Sequence, residues 1–166
     1  MLAVEVAIPK RLAEELEKRG TDVESVLVDL LVKALDLDPQ AAAEAHLELA
    51  AKYLEEGKKL VDKDPVQASE KLYKAAEETV KALAMHYRFT DILKRVEGRG
   101  RWTVTELEKA VEGAAAKLGD WLRRAWDTSN YLHIWGFHEA KLDAESVKAR
   151  LSDVEKLVAE ARKTVG

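Results

Sequence analysis

The chain has 166 residues, 47% of them hydrophobic and 35% charged, and it carries a net charge of −4. This length and apolar content correspond to one domain, or to one domain with a small appendage, with a sizeable core. The absence of Cys excludes disulfide bonds, thiolate nucleophiles and zinc–thiolate sites, and the negative charge excludes a general attraction to nucleic-acid phosphates.

The composition also predicts where the protein works. No apolar run approaches the roughly 18 residues of a membrane span, and no charged-then-apolar leader opens the chain. We therefore expect a soluble, cytoplasmic protein with no membrane partner. The chain has two Gln and one Asn beside abundant Glu, Lys and Arg, and this depletion of thermolabile residues predicts a thermophilic source.

The first stretch of the chain has the pattern of a strand followed by two helices. Apolar side chains alternate from residue 2 to residue 8, which predicts a short, half-buried β-strand. Pro9 ends this strand and can begin a helix. Thr21 and Glu24 have the spacing of a capping box that opens a second helix, ending near Leu35.

Residues 1–38, which we call the arm, resemble a ribbon-helix-helix unit. A lone strand leaves its edges unpaired, so we expect a homodimer joined through residues 1–38, although pairing of the strand within its own chain is an alternative. A DNA-binding regulator acting through the arm is a further alternative. The outward strand residues are Ala3, Glu5 and Ala7, and the arm holds five Lys/Arg against nine Asp/Glu, so its charge argues against DNA.

Residues 39–166 are predicted to form an up-down antiparallel helical bundle without β-strands. Asp38-Pro39 and Asp64-Pro65 are cap-then-proline signals that open two long helices. Thr103 and Glu106 have the spacing of a second capping box, and Asp143 precedes a helix with apolar residues at spacings of four and three. Gly57 lies on an apolar seam and predicts a close helix approach there.

A basic segment interrupts the helical pattern between residues 88 and 102. Its last part, residues 98–102, contains two Gly and ends in an aromatic, and we interpret this part as a flexible basic tip. Such a tip suits phosphate contact with base stacking, so RNA is a candidate partner, while a solvated loop is the alternative. The candidate binding residues are Arg95, Arg99, Arg101 and Trp102.

The stretch from Arg123 to Asp143 combines aromatic, polar and titratable side chains. If the protein has a catalytic or binding site, we expect it in this stretch. The candidate catalytic residues are Arg124, His133 and His138, and the candidate binding residues are Asn130 and Trp135. The simpler interpretation makes Trp126, Trp135 and Phe137 core residues. We predict no metal site, because a spacing of five separates His133 from His138 around an α-helix. We predict no cofactor, because the chain has no phosphate-cradling glycine loop and no dinucleotide fingerprint. His46 and His86 are interpreted as lone residues on polar helix faces.

One segment of the bundle resembles the second helix of HEPN-fold proteins. Tyr73–Leu83 contains Ala-Ala-Glu followed by Lys-Ala-Leu, with Glu77 and Lys81 as an i,i+4 pair. Some HEPN proteins are RNases, and they cleave RNA without a metal by using an Arg and a His that are separated by four to six residues. Neither His133 nor His138 has an Arg at that spacing, so enzymatic activity is uncertain, and we lean towards none.

Three segments together are similar to the archaeal PaREP family of HEPN-like proteins: 64–77, 99–103 and 132–139. The resemblance implies the bundle fold and fixes no activity. We expect a homodimeric binding or accessory protein, either a partner of a nucleotidyltransferase-type protein or a component of a toxin–antitoxin or defence system. The alternative function is a divergent, metal-independent RNA-cleaving HEPN enzyme in which His133 transfers protons and Arg124 stabilises the phosphorane.

Overall fold

The structure, a computed structural model, describes residues 3–166, and all regular structure within this range is helical. The chain divides into two compact units, one ending at Asp36 and the other spanning Leu37–Gly166. None of the helices in this range combines the length and apolar character needed to cross a membrane. The prediction of a mostly α-helical protein is confirmed.

The first unit contains a segment without regular structure and two helices, α1 (Lys10–Lys18) and α2 (Val23–Ala34). The N-terminus of α2 is capped by Asp22, whose carboxylate accepts a hydrogen bond from the Ser25 amide at 3.0 Å. The prediction of Thr21 as the capping residue is wrong by one position, because the carboxylate already satisfies a free amide of the first turn.

The predicted strand at residues 2–8 is wrong for the part that the structure describes, while Leu2 lies outside the described residues. Residues 3–9 have no regular secondary structure and form no strand. A strand needs a neighbour to pair its N–H and C=O groups, and no strand lies beside this segment in residues 3–166. Val4 and Val6 are consequently about three-quarters exposed, at 75% and 74%.

The second unit is a helical bundle, as predicted. Its elements are α3 (Pro39–Leu60), α4 (Pro65–His86), α5 (Thr90–Arg99), α6 (Val104–Leu118), α7 (Trp121–Tyr131), a π-helix (Leu132–His138) and α8 (Ala144–Val165). The predicted caps Asp38 and Asp64 accept a hydrogen bond from the amide three residues later, at 2.8 and 3.1 Å. Asp143, predicted only to lie at the start of the last helix, caps it in the same way at 2.8 Å. The predicted capping box between Thr103 and Glu106 is also present.

The central helix of the bundle is α4, which contacts each of the other elements in this unit. Its buried positions include many alanines, which let several neighbours approach one helix; they are Ala68, Ala75, Ala76, Ala82 and Ala84. The seam with α3 is closest at Gly57, where a Cβ would lie 2.8 Å from Leu72 Cδ2. The predicted close approach at Gly57 is confirmed.

The helical pattern was predicted to break over residues 88–102, but most of this segment is the helix α5, and of the predicted tip at 98–102 only residues 100–102 lie beyond it. Ile92 and Leu93 pack against the core from this helix, and Phe89 at its N-terminus lies against Gly113 of α6, where a Cβ would stand 2.8 Å from the ring. Gly100 ends the helix in the left-handed conformation, with φ of +80°. The apolar residues between the charges therefore order this segment.

Candidate functional site: a histidine pair on a π-helix

The π-helix lies directly against α4 at Gly136. A Cβ on this residue would stand 2.5 Å from the Cβ of Ser69 and 3.4 Å from Leu142 Cδ1, so the approach requires a glycine. Ser69 is fully buried, and its hydroxyl donates a hydrogen bond of 2.7 Å to the Pro65 carbonyl. This contact fixes how the side chains on either side of Gly136 face the surface of α4.

The wide turn of the π-helix brings His133 and His138 together. Residues five apart on an α-helix differ by about 140° around its axis, but a π-helix forms i→i+5 hydrogen bonds and stacks such residues one turn apart. The Glu139 amide makes a bond of this kind to the Ile134 carbonyl at 2.8 Å. The two Nε2 atoms of the imidazoles are 3.1 Å apart, so the prediction that this spacing separates them is wrong.

His133 is held in one orientation by side chains of α4. Its Nδ1 lies 2.7 Å from a carboxylate oxygen of Glu70. One face of its ring stacks on Tyr73, with centroids 4.0 Å apart and planes inclined by 22°, and Phe137 stacks at 6.3 Å. The carboxylate of Glu70 favours the neutral tautomer with the proton on Nδ1, which leaves the lone pair on Nε2, the nitrogen that faces His138.

Tyr73 is the buried support beneath this imidazole. Burial raises the pKa of the Tyr73 hydroxyl well above its ordinary value, and the negative charges of Glu77, Glu70 and Glu108 raise it further. Trp126 packs beside the phenol at 5.8 Å, and its indole N–H donates to Glu108 at 2.7 Å. The phenol therefore stays protonated and provides a fixed surface rather than an acid.

Arg124 is exposed on α7 and does not join the histidine pair. Among residues 3–166, no hydrogen bond, ion pair or ring contact joins an arginine to either His133 or His138. Its neighbour Arg123 is engaged elsewhere, donating to Glu112 at 2.7 and 2.8 Å. The candidate catalytic trio from the sequence is therefore assembled only in its two histidines.

The predicted binding residues of the basic segment lie on α5 and just beyond it. Arg95 and Arg101 are exposed, whereas Arg99 donates to Glu106 at 2.6 Å and reinforces the capping box of α6. This hydrogen bond is the main reason that the pKa of Glu106 is lowered to about 2. Trp102 is partly buried against the core, so its ring does not stand free for base stacking.

Trp135 lies on the outside of the π-helix and not in the core. It is 45% exposed, beside Ile134 at 47% and Tyr131 at 41%, and the rings of Tyr131 and Trp135 are 6.5 Å apart. The interpretation of Trp135 as a core residue is wrong, while Trp126 is fully buried as expected. Asn130 is half-buried and donates to the Trp126 carbonyl at 3.2 Å.

Comparison with known proteins identifies the family. The sequence profile of the Archaeal PaREP1/PaREP8 family matches residues 45–158. The chain belongs to this family. The matched range runs from α3 into α8, and it includes the π-helix with both histidines.

Two solved structures resemble this PaREP1/PaREP8 protein over most of its chain. The crystal structure of a Sulfolobus solfataricus protein is 36% identical, with a TM-score of 0.65, and the alignment covers 70% of this chain and 96% of that chain. A solution structure of the same structural-genomics target is 37% identical, with a TM-score of 0.62, covering 70% of this chain and 90% of that one. No curated protein matches the chain.

Sequence patterns missed one further polar cluster in this PaREP1/PaREP8 protein. His46 and Glu78 are both fully buried, with Nδ1 of the imidazole 2.6 Å from the carboxylate, and Lys81 donates to the same carboxylate at 3.1 Å. His46 is therefore not a lone surface residue. Lys81 pairs with Glu78 rather than with Glu77, whose partner is Lys74 at 3.3 Å.

Glu70 was also missed, although one signal was present. Glu70 and His133 lie 63 residues apart in the chain, and no local sequence pattern indicates that they form a pair. The clue was Gly136 between the two histidines: a glycine inside a helical pattern indicates a close packing contact. That contact is with Ser69, one residue before Glu70.

Proposed function

We propose that this PaREP1/PaREP8 protein is a homodimeric binding or accessory protein whose two copies are joined through the arm. The observation that carries the proposal is the exposure of seven large apolar side chains within residues 3–36, on an arm whose first helix buries none of its residues. These side chains are Val4, Val6, Leu12, Leu27, Leu30, Leu31 and Leu35.

The size of the arm supports an association. Segments shorter than about 40 residues rarely fold alone without disulfides, metals or oligomerisation, and this chain has no Cys. An apolar face of α2 that stays in water gains nothing from the hydrophobic effect, whereas covering it contributes about 25 cal/mol per Å². The order of a short segment followed by two helices also resembles that of a ribbon-helix-helix arm.

The chemistry of the arm favours a second copy over a nucleic acid. Nine acidic against five basic residues within 1–38 give this arm the whole net charge of −4, which repels phosphate. The basic residues of α1 are already paired along the helix, as in Arg11 with Glu15 at 2.8 Å. A second copy offers the same apolar face, and a two-fold axis makes such a face self-complementary.

The HEPN resemblance extends the proposal to the role of the dimer. HEPN bundles of this kind accompany nucleotidyltransferase-type proteins or act in toxin–antitoxin and defence systems, and we propose such an accessory role here. The exposed group Tyr131, Ile134 and Trp135 supports contact with a protein partner, because aromatic residues are enriched in the centres of protein interfaces. Arg124 lies apart from the histidine pair, which favours binding over the RNA-cleaving alternative.

Light scattering on the full-length protein tests the dimer. We expect a particle of twice the 18.6 kDa chain mass at micromolar concentration. Leu31→Glu puts a charge into the apolar face of α2 and is expected to give monomers. The matched control is Val104→Glu, since Val104 is also exposed, at 64%, but lies on α6 of the bundle; this variant is expected to remain dimeric.

Two results would contradict a dimer joined through the arm. One is a wild-type protein that runs as a single copy throughout the micromolar range. The other is a dimer that survives Leu31→Glu but is lost in Val104→Glu, which would place the interface on the bundle. Circular dichroism on both variants verifies that the helices remain folded.

A further inference from the structure

The geometry points to a transition-metal site at the histidine pair: we propose that Nε2 of His133 and Nε2 of His138 together bind one divalent ion of the Zn²⁺ type per chain. This inference stands apart from the proposed dimer, since it depends only on the π-helix and α4. It also reverses the expectation from the sequence, which assumed α-helical geometry between the two histidines.

The distance between the two nitrogens fits a shared ion. Zn–N bonds are about 2.0–2.1 Å long, and two of them at a tetrahedral angle put the nitrogens about 3.3 Å apart. The two Nε2 atoms are 3.1 Å apart and the ring centroids 4.4 Å apart. His138 is exposed, so a small rotation of its ring can direct both lone pairs to one point.

The surroundings of His133 are typical of a metal-binding histidine whose second nitrogen is held by another side chain. Metal-binding imidazoles commonly donate their other N–H to a carboxylate, which fixes the tautomer and makes the ligating nitrogen more basic. Glu70 supplies this carboxylate at 2.7 Å from Nδ1. Tyr73 restricts the ring from one face, so little side-chain entropy remains to be lost when an ion binds.

The donor set determines the class of ion. Imidazole nitrogens suit Zn²⁺, Ni²⁺ and Cu²⁺, whereas Mg²⁺ and Ca²⁺ require oxygen ligands. Water would complete the coordination, because the side chain of His133 is 25% exposed and His138 lies at the surface. With two protein ligands the site remains open to a further ligand from solution or from a partner.

Isothermal titration of Zn²⁺ into untagged, chelator-treated, full-length protein tests the proposal. We expect one Zn²⁺ per chain, displaced by Cu²⁺ and unaffected by a large excess of Mg²⁺. His138→Asn removes one ligand from the surface without disturbing packing, and we expect at least a hundredfold weaker binding. Glu70→Gln keeps both ligands but removes the anionic acceptor, and should weaken binding about 10- to 100-fold.

His86→Asn is the matched control, since His86 lies on α4 and its ring contacts Tyr87 instead of the pair. Zn²⁺ binding should be unchanged in this variant. The proposal is overturned if the wild type takes up no Zn²⁺ at millimolar concentration, or if His138→Asn binds as tightly as the wild type. Equal losses in the His86 and His138 variants would likewise overturn it, by showing non-specific uptake by surface imidazoles.

Discussion

The arm and the bundle contain similar apolar residues but bury them to opposite degrees. In the arm, Leu30 and Leu31 of α2 and Leu35 directly after it are each more than half exposed, while in the bundle Leu72, Leu122 and Leu132 are fully buried. The difference in burial follows from the number of neighbouring helices. In the bundle α4 is surrounded by several helices, whereas the arm contains only α1 and α2. Apolar periodicity therefore predicts a helix face but not what covers it.

The largest expected difference between the two regions is in the response to truncated leucines. Leu72→Ala should lower the free energy of unfolding of the bundle by about 2–5 kcal/mol, because it leaves a cavity between α3 and α4. Leu30→Ala in the arm should change it by about 0.5 kcal/mol or less. Urea unfolding followed by circular dichroism, at a concentration low enough to dissociate any dimer, measures both.

If Leu30→Ala costs as much as Leu72→Ala under these conditions, the arm has a core of its own and the comparison fails. Leu30 is 56% exposed and Leu72 is fully buried, so the two substitutions remove the same atoms from opposite environments.

Within the bundle, a buried and an exposed glycine allow a similar comparison of stability. Gly136→Ala should destabilise the protein by about 1–3 kcal/mol, because the added Cβ would overlap Ser69 and force the π-helix away from α4. Gly98→Ala on the exposed side of α5 has open space around its Cβ, and should be neutral or stabilising by up to about 1 kcal/mol. Thermal unfolding of the two variants gives the result.

Equal melting temperatures for Gly136→Ala and the wild type would mean that the π-helix does not press on α4 as described. The fluorescence of Trp135, the residue before Gly136, provides an independent indication of whether the packing has moved.

The smallest expected effect is the acid dependence of the α6 capping box. The pKa of Glu106 is about 2 in the folded protein, chiefly because Arg99 donates to its carboxylate, and about 4.3 in an unfolded chain. A lowered folded pKa stabilises the protein above about pH 4.3, and this contribution is lost as the pH falls towards about 2. Glu106→Gln should therefore differ most from wild type at neutral pH.

Urea midpoints for the wild type and Glu106→Gln at several pH values between about 7 and 2 check this dependence. Glu112→Gln is the control, because Glu112 also has a lowered pKa but pairs with Arg123 at the exposed surface, where ion pairs contribute little. A difference for Glu106→Gln that does not shrink in acid would contradict the role assigned to its carboxylate.

Local signals in the sequence were sufficient for most of the bundle. The caps Asp38, Asp64 and Asp143 act on amides three residues away, so a short window contains the whole interaction. The same holds for the capping box of Thr103 and Glu106. These elements were predicted because their physics is local.

The elements that failed depend on contacts between distant residues. Ile92 and Leu93 order α5 only because the core lies beneath them, and His46 meets Glu78 across 32 residues of chain. The π-helix depends on a tight contact between Ser69 and Gly136, and nothing within residues 132–138 distinguishes it from an α-helix. The homodimer, the accessory role and the RNA-binding residues stay predictions.

The wide turn of the π-helix couples backbone hydrogen bonding to the distance between two side chains. Were residues 132–138 to shift to i→i+4 bonding, His138 would rotate about 140° away from His133. An occupant that touches both imidazoles must therefore favour the wide register. A partner that binds better to the narrow turn would therefore weaken the binding of that occupant. By thermodynamic reciprocity, the occupant would weaken the binding of the partner by the same factor.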